Sequence, residues 1–444
     1  MPDLLSEYKS TRLTRSQEPA TEKAAALRKR WIRIIPVAFV MYTIAFIDRT
    51  NLSLALPSMT RDLHMSSTQA ANAAGIFFAG YLLLQIPGGH LAQRWSAKRL
   101  ISILLISWGV CAVWGGLVHT WQELCAARFL LGVAEGGVYP ATLVLLSNWF
   151  VRAERARANA YWMLCLPLSV VASSPLSGWM LDHWNWRVML IAEGLLPFLW
   201  LAAWNCFIDD TPREARWLSQ SERTCIENIL ASDRSQISPQ PRSFLRGLLN
   251  SQVLLLATIY FLFISAQFAY VFWLPTAISA ARQMSNLRLG TLYSVPFMIG
   301  GCALVVNSWH SDRYLERRKH IAASLIIGSV FLLCGVLASP NFPPLSYMYV
   351  SLAAVGYFGS LGPFWAIPTE VLPRNLVGSA MGLINAIGNL GGYFGPVFVG
   401  YIVRRTSSFR VGFVFVAAAM FLSCVLCLLI SRAPPRCTKL RVSA

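Results

Sequence analysis

Asp48 and Arg49 stand side by side in Ile44-Ala45-Phe46-Ile47-Asp48-Arg49-Thr50-Asn51-Leu52-Ser53, inside an apolar run from Trp31 to Leu56. An apolar helix of about 20 residues crosses a bilayer, and an ionised side chain at its centre costs roughly 2.5–3.5 kcal/mol on insertion scales. Such residues therefore face a protein interior or a water-filled cavity. A guanidinium is always charged and offers a fork of donors that suits a carboxylate, which makes Arg49 a candidate anion binder. Asp48, held partly away from water, is a candidate proton site. The plainer alternative is a static ion pair that braces two helices. Successive helix side chains point about 100° apart, so the two need not pair with each other.

A second charged pair lies further along. Arg128 and Glu135 are seven positions apart in the fourth apolar run, two helical turns, and share one face. They too can be read as interhelical bracing. An anion that engaged Arg49 would take a counterion from a nearby carboxylate, which would then bind a proton more readily. Such coupling is reciprocal. Smaller expectations attach to other polar side chains. The Tyr81 hydroxyl can bond a carboxylate, and Trp365, between Pro363 and Pro368 in a span expected to kink, can cap a cavity or simply pack. Asn389 sits in a Gly-rich helix, and Gln267 and Tyr270 precede Trp273-Leu274-Pro275. Gly132 and Gly136 read as helix packing, His90 and His310 as interfacial, and Asp209 and Asp210 as part of a solvated linker.

The elements that must position these residues follow from composition. The chain has 444 residues, 55% hydrophobic and 13% charged, where soluble domains carry about 25% charged residues. Twelve membrane spans are expected, near 31–56, 69–92, 100–119, 122–148, 157–180 and 188–208, then 249–274, 288–308, 320–339, 344–370, 376–403 and 410–431. They form two six-helix bundles, 31–208 and 249–431, joined by a linker at 209–248. A basic tail (1–30) precedes them and a second tail (432–444) follows. The first 30 residues are polar and charged, which does not suit a cleavable signal peptide. The net charge of +18 is concentrated in short segments on one side of the spans, including Arg94, Lys98, Arg99, Arg152, Arg155, Arg157, Arg313, Arg317, Arg318, Arg374, Arg432 and Arg436. By the positive-inside rule both termini are cytoplasmic, and nucleic acid is not the partner. Ten cysteines without paired spacing read as small buried hydrophobes.

The halves look like copies. Gly89-His90-Leu91-Ala92-Gln93-Arg94 through Arg99 follows the second span, and Trp309-His310-Ser311-Asp312-Arg313 through Arg318 follows the eighth, with Arg94 and Arg313 219 positions apart. Pro175 and Gly178 have counterparts in Pro396 and Gly400. Repeated halves around a midplane site are a common transporter plan.

At these residues the chain resembles the major facilitator superfamily, more narrowly its anion:cation symporter branch (hexuronate, sugar-acid, tartrate and phthalate type). Besides Asp48-Arg49-Thr50-Asn51, the likeness rests on Gly132-Val133-Ala134-Glu135-Gly136-Gly137 with Pro140, Trp149-Phe150 and Glu154-Arg155-Ala156-Arg157. Trp186-Arg187 with Glu193-Gly194, Asp210-Thr211-Pro212, and Gly362-Pro363-Phe364-Trp365 through Thr369 with Asn385 and Gly388-Asn389-Leu390-Gly391-Gly392 complete it. The resemblance implies an all-α polytopic fold of twelve helices in two pseudo-symmetric halves. It implies Asp48 and Glu135 as proton carriers and Arg49 as the anion binder, with Tyr81, Arg128, Trp365 and Asn389 lining or gating the cavity. Two departures matter. Gln93 stands where the superfamily loop has an Asp, so the gating role is expected from Asp312 and Arg313 more than from Arg94. The fifth span lacks the full Gly-Pro-rich run of the superfamily's drug/proton antiporters.

The expectation is a proton-coupled importer of a small organic anion working by alternating access in the cell membrane, as a monomer. An organic-anion exchanger or exporter on the same fold, or a non-transporting sensor, are the alternatives. Neither a phosphate loop nor His-Glu-x-x-His, Cys-x-x-Cys or Gly-x-Ser-x-Gly occurs, so no enzyme, metal or cofactor is expected beyond the proton as coupling ion.

Overall fold

A computed structural model describes residues 3–235, 250–281, 284–338, 343–372 and 377–430. Among the described residues, twelve helices are long and apolar enough to cross a membrane. Spans 1–6 are Leu27–Asp62, Ser67–Arg94, Ala97–Leu117, Trp121–Trp149, Arg157–His183 and Trp186–Phe207. Spans 7–12 are Ser251–Ala280, Asn286–Tyr314, Arg318–Leu337, Pro344–Pro368, Ala380–Thr406 and Phe409–Leu428. The helix of span 1 continues back to Asp3, through the basic amino-terminal segment. Arg282, Arg374, the carboxyl-terminal basic residues and linker positions 236–249 lie outside the described residues.

Several spans are interrupted, and the breaks carry information. Span 4 breaks at Gly137, directly after Glu135-Gly136, and span 6 at Leu195, directly after Glu193-Gly194. Span 10 breaks at Ala353, whereas Pro363 and Pro368 sit within its continuing helix. The interruption therefore falls a few turns before the prolines that the sequence suggested would cause it.

Spans 2 and 4 cross with their backbones nearly touching. A Cβ on Gly136 would lie 2.1 Å from the Tyr81 carbonyl oxygen, and one on Gly132 would lie 2.0 Å from that of Phe77. Only a residue without a side chain permits this approach, as expected for small-xxx-small packing. It fixes Tyr81 and Glu135 on facing turns.

The linker is less solvated than its composition suggests. Asp210 is buried, and its Oδ1 accepts from the Lys98 backbone N–H at 2.8 Å, at the start of span 3. The Asp209 carbonyl accepts from Trp149 Nε1 at 2.9 Å, and its Oδ2 from Trp217 Nε1 at 3.1 Å, while the two indoles stack at 5.4 Å. A carboxylate is favoured at a helix N-terminus, where the first N–H groups lack partners, and this is what Asp210 supplies. The linker helix Gln220–Ser235 docks through Lys29 Nζ, which donates to Glu222 Oε1 at 2.5 Å and holds that carboxyl below its ordinary range. The cysteine reading holds for Cys165, Cys424 and Cys427, which are buried, but Cys206, Cys302 and Cys334 are exposed on the helical surface.

The halves meet at the ends of the spans opposite the amino terminus. Span 5 runs against span 8, where a Cβ on Gly290 would meet the Ser174 carbonyl oxygen at 2.1 Å. Asp182 of span 5 accepts from the Asn286 and Leu287 backbone N–H groups, each at 2.7 Å, and from Asn286 Nδ2 at 2.9 Å. The carboxylate of one half thus caps a helix of the other. Span 2 packs on span 11 at the same level, Gly75 against Tyr393 and Ala71 against Gly400. Asp182 is exposed, so its interaction with the helix end is worth about 0.3–1 kcal/mol, a two- to fivefold bias. Asp182→Ala is expected to shift the population toward separation at this end. Pulsed electron resonance between spin labels at Trp184 and Met284 should show a longer-distance component, and an unchanged distribution would count against the cap as a latch.

Candidate functional site

Asp48 and Arg49 part company on span 1 as their 100° offset requires. Arg49 turns toward span 4, where its Nε donates to Glu135 Oε2 at 2.7 Å, with both residues buried. Its guanidinium also lies over the rings of Tyr81 (4.8 Å), Tyr42 (5.3 Å) and Phe77 (5.6 Å). Arg49 Nη2 and Glu135 Oε1 have no hydrogen-bond partner among the described residues. The arginine is therefore held at Nε by Glu135 and more loosely at Nη1 by the Tyr42 hydroxyl at 3.4 Å, while Nη2 has no partner among the described residues. Behind it, Tyr42, Tyr139 and Trp162 form an aromatic wall, with Tyr139 stacked on Trp162 at 5.3 Å.

Asp48 points the other way, into the first bundle. Its Oδ2 accepts from Trp108 Nε1 of span 3 at 2.5 Å, and its Oδ1 accepts from Asn51 Nδ2 at 3.3 Å. Among the described residues no arginine bonds its carboxylate. Arg128 Nη1 donates instead to the Asp48 backbone carbonyl at 2.9 Å, and Arg128 Nε and Nη2 are buried without partners. Phe77 separates the two arginines, its ring 4.9 Å from the Arg128 guanidinium. Asp48, Asn51 and Arg128 line a cavity of about 20 Å³, room for one water.

The structure thus gathers Asp48, Arg49, Tyr81, Arg128 and Glu135 into one buried cluster in the first half. The second-half candidates divide. Trp365 stands edge-on to Tyr260 at 5.0 Å, and the Tyr260 ring packs against Gly388, the residue before Asn389. Tyr260 lies near Tyr81, Tyr139 and Arg49, so this group faces the first-half cluster. Gln267 is buried beside Phe268, which meets Phe78 of span 2 at 4.4 Å. Tyr270 does not join them. Its hydroxyl donates to the Val350 carbonyl at 2.9 Å and its ring lies between Tyr357 and Phe413, inside the second bundle. Two residues on from Phe268, it lies about 200° around the helix, on the opposite face.

The loop residues also redistribute. Arg94 is exposed, and Arg313 lies over the Trp309 ring at 5.5 Å. Asp312 pairs with Arg317, whose Nε also donates to Glu370 Oε1 at 3.0 Å. The arginine that bonds Asp312 is therefore Arg317, five residues on in the turn between spans 8 and 9. Sequence reasoning missed Trp108, Asn51 as a ligand of carboxylates, Tyr260 and Glu193. A signal for Glu193 was present: Ala134-Glu135-Gly136 and Ala192-Glu193-Gly194 repeat one tripeptide in two spans.

The arrangement is a buried charge network with free guanidinium nitrogens beside the interface between two similar bundles. The sequence profile of the Major Facilitator Superfamily matches residues 38–396 and 317–442. The chain belongs to the Major Facilitator Superfamily. It is 32% identical to an Agrobacterium vitis protein named for tartrate transport, over 92% of this chain and 95% of the other. An Acinetobacter baumannii protein named as a quinolone resistance transporter is 27% identical, over 90% of this chain and 93% of its own length. Among solved structures, a bacterial homologue of the human lysosomal transporter Spinster, in an inward-facing and occupied conformation, shares the fold. Its TM-score is 0.72 at 15% identity, covering 90% of this chain and 96% of that one. The chain is a multi-pass transporter of this superfamily and not an enzyme.

Removing one partner from a buried ion pair leaves an uncompensated charge and costs roughly 3–5 kcal/mol. Arg49→Ala and Glu135→Ala should each lower the unfolding temperature of the purified protein, and the double variant should lose less than their sum. Strict additivity would show that the two do not act as a pair.

Proposed function

We propose that this protein is a proton-coupled importer of a small organic anion, with a carboxylate as the group recognised and both termini on the cytoplasmic side of the cell membrane. The observation that carries the reading is Arg49, fixed by Glu135 through one nitrogen and offering Nη2 without a partner. A bound carboxylate on that nitrogen competes with Glu135 for the cation. Once displaced, Glu135 is a buried carboxylate without a counterion, and taking up a proton removes the cost. Anion and proton binding therefore favour each other.

The likeness to a protein named for tartrate transport supports a hydroxy-dicarboxylate or sugar acid as the substrate class. Tyr81, Tyr42, Tyr260 and Trp365 supply hydroxyl donors and ring faces suited to a compact polyhydroxy acid or an aromatic acid. With the halves joined at the end opposite the amino terminus, the described state is the one that releases to the cytoplasm in this topology. The return to the other state separates the Asp182 cap and closes the amino-terminal side. One proton with a monoanion is electroneutral. A second proton adds about 2.3 kcal/mol of driving force per 100 mV of membrane potential. We further propose that the protein works as a monomer.

The likeness to a protein named for quinolone resistance favours a second reading, export on the same fold. Uptake of labelled organic acids into proteoliposomes separates the two. Import predicts accumulation that requires an inward proton gradient and collapses with it. Asp48→Asn combined with Glu135→Gln should abolish that accumulation. Full gradient-driven uptake in the double variant would sink the coupling assignment, and equilibration indifferent to the gradient would sink symport itself. Arg49→Lys keeps the charge and loses the fork, and should weaken substrate binding by roughly 1.5–3 kcal/mol, more than tenfold.

A further inference from the structure

Three carboxyl groups and two guanidinium groups are buried together in the first half. Asp48, Glu135 and Glu193 are 2%, 0% and 5% exposed, and Arg49 and Arg128 are 6% and 5% exposed. Arg49 is committed to Glu135. Glu193, on span 6, has no cation within ion-pair distance among the described residues. Its Oε2 accepts from Asn51 Nδ2 at 2.8 Å, and its Oε1 accepts from Ser177 Oγ at 2.5 Å. The same Asn51 Nδ2 reaches Asp48 Oδ1 at 3.3 Å, so one amide nitrogen ties two carboxyl groups together.

Charge balance decides what this tie is for. Three carboxylates against two guanidiniums leave one negative charge in a water-poor interior, and a buried charge of that kind is neutralised by binding a proton. Glu135 has its own cation, so the proton belongs to the Asp48–Asn51–Glu193 group. A cavity adjoins the Asp48 side of this group. It is lined by Asp48, Asn51 and Arg128, and Asn51 Oδ1, Arg128 Nε and Arg128 Nη2 are buried with no protein partner. A water there meets two to four polar groups, the number a buried water requires.

We propose that Asp48 and Glu193, tied together by Asn51, hold one proton between them, with the water-sized cavity on the Asp48 side of the tie, which makes Glu193 a third coupling carboxyl of the transporter. In the transfer the O–H bond at one carboxyl breaks and one forms at the other, and the negative charge moves in the opposite direction. The groups around Glu193 are few. Span 1 contributes Asp48 and Asn51 and span 5 Ser177, with Asp182 and His183 at its end, while from span 3 Trp108 bonds Asp48 and Cys111 lines the cavity. Span 4 lies behind Asp48 with Arg128 and Glu135. Asp62 and Arg187 pair with each other at the ends of spans 1 and 6, at 3.6 Å. Ser177 immediately precedes Gly178, which packs against the Asn286 backbone where the halves join. Separation of the halves at this point reaches Glu193 through one residue.

The proposal rests on the transporter reading for its functional arm, so the test has two arms. The first needs no substrate: pH-difference infrared spectroscopy of the purified protein in nanodiscs. Glu193→Gln is expected to remove one protonated-carboxyl C=O band and to shift that of Asp48, and Glu193→Asp to keep a displaced band. A band pattern identical to the wild type in Glu193→Gln overturns the proposal. The second arm measures pH-driven accumulation in proteoliposomes. With a gradient of one pH unit, loss of one coupled proton lowers the limiting accumulation about tenfold. Glu193→Gln is expected to show that loss and a flattened pH profile, with partial rescue by Glu193→Asp. Wild-type coupling retained in Glu193→Gln overturns the proposal. A wild type indifferent to the gradient overturns the symport reading instead and leaves the spectroscopic arm to decide the proton's place.

Discussion

Charge in a membrane interior must be balanced locally, and this constraint organises the first half of the molecule. Arg49 cannot lose its proton, so a carboxylate from another helix must meet it, and Glu135 does so at 2.7 Å. Once that pair is fixed, the offset along span 1 sends Asp48 into the bundle interior, where neutral donors from Trp108 and Asn51 receive it. Arg128 is then left with a backbone carbonyl and two unused nitrogens. Every part of the candidate site is a consequence of one cation needing a counterion and finding only one.

The scaffold serves this arrangement by bringing backbones together. Spans 2 and 4 approach so closely at Gly132 and Gly136 that the Tyr81 ring comes over the Arg49 guanidinium. The helix breaks immediately after Glu135-Gly136 and Glu193-Gly194, so both glutamates occupy the last turn of a helical segment. Breaks of this kind are tolerated at membrane depth only where the protein interior satisfies the freed backbone groups. Here the N–H groups of Gly137 and Leu195 turn back onto carbonyls of the preceding turn.

Polar contacts also mark where the two halves hold each other. At the end opposite the amino terminus, a carboxylate cap and close backbone approaches join spans 5 and 8. At the amino-terminal side the fastenings run within each half: Arg30 with Glu154, Asp210 with the start of span 3, and Arg317 with Asp312 and Glu370. In the proposed cycle the halves move as units. The bonds that change are then those between them, which among the described residues include the exposed Asp182 cap and a buried bond from Ser53 Oγ of span 1 to Tyr293 Oη of span 8 at 3.2 Å.

By itself the sequence determined the twelve spans and singled out Asp48, Arg49, Arg128 and Glu135 as charges inside them. Long apolar runs and charges within them are properties of single segments, readable without knowing their neighbours. It did not show that Tyr270 sits inside the second bundle or that Arg317 is the arginine bonded to Asp312, because helical phase relative to another helix and the choice among neighbouring arginines depend on how segments pack. Only the tertiary structure decided that the Asp48 carboxylate is bonded to Trp108 and Asn51 and to neither arginine of the cluster. It alone showed that Asp210 caps span 3 in the half where Gln93 replaces an acid, and that Asn51 joins Asp48 to Glu193. These are contacts between residues as many as 142 positions apart, and no pattern along one helix encodes which distant side chain will complete its hydrogen bonds.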